Sequence, residues 1–268
     1  MASVAFTPIA SPRFPTVWHR TVRRMAVRAQ AKPILVDVPV SNHGARVRFV
    51  LYKKGLAEQY DIKSPADFGG LKSSTYLELN AQGKMPLLIQ PGGLNLPESE
   101  VIVQYLLDKW QGQGPSLVAV SPDTRAQGAL ITRIHDLYIA PVQGCMYRAM
   151  DDAGVRAAQL AQIAYQLDVI ENTITGKPFI CGEHVTTADG ALFPTMVFLL
   201  HMLPKFGWSD LFSSRPKLGA WWRAVQQDSE ACKVIGEVQG GLDSWEAQGR
   251  WRDILDQVQR HPELKWAH

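Results

Sequence analysis

Cysteine is scarce in this chain, and the three that occur, Cys145, Cys181 and Cys232, are widely spaced and form no C-x-x-C pair. An odd, scattered set excludes a disulfide framework and offers no zinc-ligand spacing, so no metal is expected and a reducing compartment suits the chain. Acidic residues are missing before Asp37, whereas Arg13, Arg20, Arg23, Arg24 and Arg28 all fall there. The formal charge of +3 therefore belongs to the first segment: setting those five aside reduces 28 basic residues to 23, against 25 acidic ones. A nucleic-acid partner has no support once that excess is gone. Long apolar runs are missing too. The longest, Ala191 to Leu203, contains Pro194 and His201 and is shorter than the roughly 20 residues a spanning helix needs. It reads as a buried core helix bent near Pro194, with no membrane insertion. Internal repeats and low-complexity tracts are absent.

What the chain does have begins with its leader. Met1 to about Ala29 combines arginines with Ser, Thr and scattered prolines and lacks the continuous apolar core of a secretory signal. That composition is expected of an organelle transit peptide over residues 1–30, addressed to the chloroplast stroma, with the mitochondrion as the alternative. The remainder is long enough for two domains. Gln111-Gly112-Gln113-Gly114-Pro115 is the best linker, which places one domain at 33–112 and another at 120–268.

Three islands in the first domain carry chemistry. The β-branched run Ile34 to Val40 is too short for a helix, and Val47, Val50 and Leu51 then recur at helical spacing, so Ser41 sits at a strand-to-helix turn. A hydroxyl there lies beside unsatisfied helix N–H groups that favour an anion; equally, it can be a simple N-cap. Gly83-Lys84-Met85-Pro86 leads into the apolar strand Leu87-Leu88-Ile89, where a proline is tolerated at the strand start and is a candidate for the cis isomer. Pro97-Glu98-Ser99-Glu100 opens a helical pattern and forms a second anion site.

Beyond Trp110 the pattern is helical throughout. Ser121 or Asp123 can cap one helix; Leu160, Ile163, Ala164, Leu167, Ile170 and Ile174 form one stripe; further helices are expected from Arg215-Pro216 and over Trp251 to Val258. Thr186-Thr187-Ala188-Asp189 has the spacing of a capping box. Gly190 stands where an apolar partner for Val185 belongs, which predicts a weaker helix start that leucine at 190 would strengthen.

The order and spacing of these islands resemble the soluble glutathione transferases, over about Ile34 to Asp228. The resemblance implies an α/β N-terminal thioredoxin-like domain followed by an all-α C-terminal helical domain. It implies glutathione as co-substrate, a homodimer, and a small-molecule electrophile as the other partner. Ser41, five residues before Arg46, matches the catalytic serine of the zeta-like and tau-like classes. Lys84, Met85, Pro86, Glu98 and Ser99 match the glutathione-binding positions. His135, Tyr138, Met146, Tyr147 and Met150 lie where the family packs a helix over the sulfur, and are candidates for the electrophile pocket or, alternatively, core residues.

The chemistry follows from the thiol. A free thiol has a pKa of about 8.5 and is only a few per cent thiolate at neutral pH. A serine hydroxyl that hydrogen-bonds sulfur at a helix start lowers that pKa, making Ser41 a donor rather than a nucleophile. The expected activity is conjugation or isomerisation of an electrophile, with a non-catalytic glutathione-dependent binding or assembly module as the alternative. Ser41 is followed by Asn42-His43-Gly44, which departs from the usual motifs of the two serine classes; His43 is either chemical or a polar surface residue.

Overall fold

The computed structural model describes residues 32–175 and 177–265; the expected transit peptide and its cleavage near residue 30 lie outside them. The chain begins with strand β1 (Ile34–Val36) and helix α1 (Asn42–Lys53), then β2 (Asp61–Lys63), α2 (Ser74–Leu79), β3 (Leu87–Ile89), β4 (Asn95–Pro97) and α3 (Ser99–Lys109). The four strands form one mixed sheet in the order β2-β1-β3-β4, with β1 parallel to β2 and the other two pairings antiparallel. This is the thioredoxin-like half.

The second half is helical: α4 (Pro122–Ile134), α5 (Ala153–Thr173), α6 (Thr187–Met202), α7 (Pro216–Val225), α8 (Ser229–Ala247) and α9 (Arg252–Arg260). Ser121 caps α4 by accepting the Thr124 N–H at 3.1 Å, with Pro122 in the first turn, where its missing N–H is not needed. The expected stripe of α5 is buried from Leu160 to Ile170. The C-terminal α9 seats Ile254 and Val258 in the core, and its Gln257 accepts from the Nε of the buried Arg156 at 2.6 Å.

One continuous apolar core joins the two halves, and α1 lies at its centre. Every residue of α1 from Gly44 to Leu51 is buried, because α1 is covered by α3 on its own side and by α6 and α8 on the other. Arg48, inside this packing, pairs with the buried Asp37 and donates to the carbonyls of Val38 at 2.9 Å and Pro39 at 2.7 Å. A buried guanidinium is tolerated only when its donors are met in this way.

The apolar run from Ala191 lies, as expected, in a buried helix, α6, which continues through Pro194. The reading of Gly190 needs correction. A side chain there would not find Val185: a Cβ built on Gly190 comes within 2.7 Å of the Phe49 ring on α1, and Phe49 is fully buried, edge-on to Phe193 with centroids 5.2 Å apart. The glycine lets α1 and α6 approach closely. Gly190→Leu is therefore expected to destabilise the protein by about 1–3 kcal/mol through overpacking, measurable as a lower urea midpoint with the slope unchanged. A rise in the midpoint would restore the staple reading.

Candidate active site

Three chain boundaries converge on one side of the sheet: the start of α1, the entry to β3 and the start of α3. The Met85–Pro86 peptide bond at the β3 entry is cis, as the turn-to-strand position suggested. The Lys84 carbonyl behind it is held by the Tyr76 hydroxyl at 2.7 Å and by Asn80 Nδ2 at 2.8 Å. At the start of α3, Glu98 takes φ 69°, ψ 114°, and Leu117 is the only other non-glycine residue at positive φ among the described residues. Strain of this kind, on the order of 1–3 kcal/mol, is retained where the surroundings over-determine it, and it clusters at functional sites.

A cleft of about 590 Å³ opens between these boundaries. Lys84, Met85, Pro86, Glu98 and Ser99 all line it, together with His43, Arg46, Asn80, Arg133 and Asp136. The N-terminal end of α3 faces the same space, so free backbone N–H groups and the helix dipole favour an anion there. A cavity of similar size, about 630 Å³, lies between the end of α5 and α7, beside Pro178 and Trp221. None of the residues singled out for thiol chemistry borders it, so size does not locate the site; the convergence of polar groups does.

Ser41 caps α1: its Oγ accepts the Gly44 N–H at 3.0 Å. It is not among the residues lining the cleft. Beside it lies Asp37, so close to the helix that a Cβ on Gly44 would collide with the carboxylate. Burial pushes the Asp37 carboxyl up to about 6 against the opposing pull of Arg48, with a smaller stabilising contribution from Ser41.

The five residues expected to receive an electrophile do not share one wall. After Ile134 the chain leaves α4 through a π-turn, His135–Ile139, and a 3-10 turn, Gln143–Met146. The wider π-turn shifts the helical register, so the five do not lie on the one helix that the resemblance implied for them. Met146 is fully buried in the core, Tyr147 packs on Phe198 with centroids 5.3 Å apart, and Met150 borders a separate pocket beside α9. Tyr138 is half exposed. In their place Val101, Leu137, Ala140 and Pro141 give the cleft its apolar side.

His135 is buried and structural. Its Nδ1 lies 2.8 Å from Asp136 Oδ1 and its Nε2 2.7 Å from Thr195 Oγ1. Asn42 Nδ2 donates to Thr195 Oγ1 at 3.0 Å and to Gln143 Oε1 at 2.8 Å. The tautomer that satisfies both Asp136 and Thr195 is neutral, with its proton on Nδ1, and burial lowers the His135 pKa in agreement. The chain of bonds ends at Arg46, whose guanidinium holds Asp136 through Nη2 at 2.6 Å and Nη1 at 3.2 Å, and reaches Ser99 Oγ at 3.3 Å. Burial raises the Asp136 pKa, but the His135 hydrogen bond and then Arg46 outweigh it and hold the carboxyl below the usual carboxylate range.

Spacing from Ser41 picked out Arg46, but its role as the strut between α1, the start of α3 and the π-turn was not readable. Asn42 was missed as a tie between the halves. The only signal was that it stood where a different residue pair was expected.

A mixed thioredoxin-like sheet with a cis-proline at the entry to β3, a strained residue before α3 and an all-helical second half define a two-part transferase architecture. Comparison with known proteins agrees. The "Glutathione S-transferase, N-terminal domain" family matches residues 35–114 and the "Glutathione S-transferase, C-terminal domain" family matches residues 153–224. A rice protein (Oryza sativa subsp. japonica) described as "Probable glutathione S-transferase GSTU6" is 30% identical over 209 residues, covering 75% of this chain and 87% of the relative. Glutathione S-transferase F10 of Arabidopsis thaliana is 25% identical over 205 residues, covering 72% and 91%. The crystal structure of a Tau class glutathione S-transferase from mango, Mangifera indica, shares the fold with a TM-score of 0.66 at 24% identity, over 80% of this chain and 99% of that one. The chain belongs to the glutathione S-transferase family, enzymes whose co-substrate is glutathione.

Proposed function

We propose that this protein activates the thiol of glutathione and transfers it to a small electrophile, or uses it to isomerise one. The observation that carries this reading is that Lys84, Met85, Pro86, Glu98 and Ser99, far apart in sequence, surround one cleft at the starts of α1 and α3. Lys84 and the α3 N-terminus supply positive potential for the peptide's carboxylates, and the Met85 backbone is placed for an extended partner. Holding the peptide there makes the attack by sulfur an oriented step.

Ser41 is the serine this reading assigns to sulfur. A hydroxyl has one proton and two lone pairs; accepting the Gly44 N–H uses a lone pair and leaves the proton for a thiolate. The apolar face of Val101, Leu137 and Pro141 is the side from which an electrophile approaches. Homodimer assembly, typical of the family, and import into the chloroplast stroma by the arginine-rich leader belong to the same proposal.

Turnover of glutathione with a panel of electrophiles tests the reading. Wild type is expected to turn over at least one of them, and Ser41→Ala to lose about tenfold or more in kcat with little change in glutathione affinity, because the lost bond is specific to the thiolate. Tight glutathione binding with no turnover across the panel would instead identify a binding module.

A further inference from the structure

The departure at Asn42-His43-Gly44 places an imidazole in the cleft. His43 lines it beside Lys84, Met85, Pro86, Glu98 and Ser99, where Ser41 does not. Most polar side chains around it are already engaged: Arg46 by Asp136, Asn80 by the Lys84 carbonyl, Ser99 by Arg46. His43 differs. Among the described residues no protein group hydrogen-bonds either of its ring nitrogens; its nearest aromatic neighbour is the edge of His135, at 6.1 Å between centroids. Ser41, by contrast, has a competing acceptor for its single proton in the adjacent Asp37, whose charge it helps to hold.

We infer that His43 is a second catalytic residue, donating a ring N–H to the sulfur of bound glutathione and sharing the thiolate with Ser41. The inference rests on the glutathione reading of the cleft. Arg46 and Lys84 lie close enough to act on the ring electrostatically, with the Asp136 carboxylate that Arg46 holds partly offsetting them, so a thiolate at His43 has two cations beside it. Burial, then His135 and Arg46, lower the His43 pKa to about 4. The ring is therefore neutral at neutral pH, with one N–H to give. A group that weakly basic does not take the proton of a thiol whose free pKa is about 8.5. The S–H proton leaves to water through the open mouth of the cleft, the sulfur keeps the electron pair, and the imidazole N–H turns to the anion.

The test is the thiol pKa of bound glutathione, read from thiolate ultraviolet absorbance in wild type, Ser41→Ala, His43→Phe and His43→Gln, alongside kcat and KM. His43→Phe is expected to raise the bound thiol's pKa by about one unit, a tenfold shift of the thiol–thiolate equilibrium toward thiol. The loss should fall in kcat, with KM for glutathione nearly unchanged. His43→Gln keeps an N–H donor at that position and should recover most of the effect, which a purely structural role would not produce. If the bulk of Phe prevents folding, His43→Ala reads the same loss. A wild-type pKa that falls on binding and falls equally in His43→Phe or His43→Ala overturns the role of His43 and leaves the transferase reading standing. A wild type that binds glutathione with no fall in its thiol pKa overturns the activation reading beneath both.

Discussion

Asp189→Ala is expected to lower the unfolding free energy by about 3–5 kcal/mol, because it strips a fully buried hydrogen-bond acceptor from four donors. Asp189 is fully buried. Its Oδ2 accepts the Thr186 N–H at 2.7 Å and the Thr186 hydroxyl at 2.9 Å, and its Oδ1 accepts the Ile180 N–H at 3.0 Å and the Trp221 indole N–H at 2.8 Å. Truncation leaves all four donors without this acceptor, away from water. Asn is no rescue, because its amide N–H would point at the donors of Thr186. Thr186→Ala should cost only about 0.5–2 kcal/mol, and the double variant should fall close to Asp189→Ala alone, since both act through one carboxylate. Guanidinium unfolding followed by tryptophan fluorescence checks this. A loss below about 1 kcal/mol for Asp189→Ala, or strict additivity, would refute the shared-acceptor account.

Arg46→Met is expected to destabilise by a similar amount, about 3–5 kcal/mol, because removing one partner of a buried ion pair strands the other. It should also weaken glutathione binding, since Ser99 loses the donor that fixes it at the start of α3. The effect has a pH signature. Asp136 ionises below its ordinary value of 3.8 in the fold, so its contribution is present above that value and is lost as the pH falls through the folded pKa. Without Arg46 the depression shrinks, and the gap between the two proteins should narrow on acidification through the carboxylate range. A gap that stays constant with pH would mean that Arg46 contributes by packing alone.

The parts of the site that were legible in the sequence are those governed by local rules. Ser41 and Ser99 mark helix starts, and Pro86 marks the entry to a strand, because turn chemistry and hydrophobic periodicity act over a few residues. The carboxylate of Asp189 reaching back to Thr186 is likewise local. Its other two donors, Ile180 and Trp221, arrive through tertiary packing and left no sequence signal. The electrophile candidates had two readings, a pocket wall or core residues: the resemblance set His135, Tyr138, Met146, Tyr147 and Met150 on one helix, and the π-turn after Ile134 separates them, with His135 and Met146 in the core. Gly190 shows the same limit. A local rule asked for an apolar side chain to meet Val185, while Phe49, from the other half of the chain, already occupied the space.

The sequence alone therefore determined the two-part architecture and the residues that open each helix and strand of the cleft, since periodicity, caps and prolines are read along the chain. Tertiary structure alone decided which of those residues share one space. It set Ser41 beside Asp37 and outside the cleft lining, left His43 lining it, and strung Asn42, Thr195, His135, Asp136 and Arg46 into one polar chain. The reason is physical: a buried polar group is stable only where partners from distant segments meet it, and which segments meet is set by how α1 packs between the sheet side and α6.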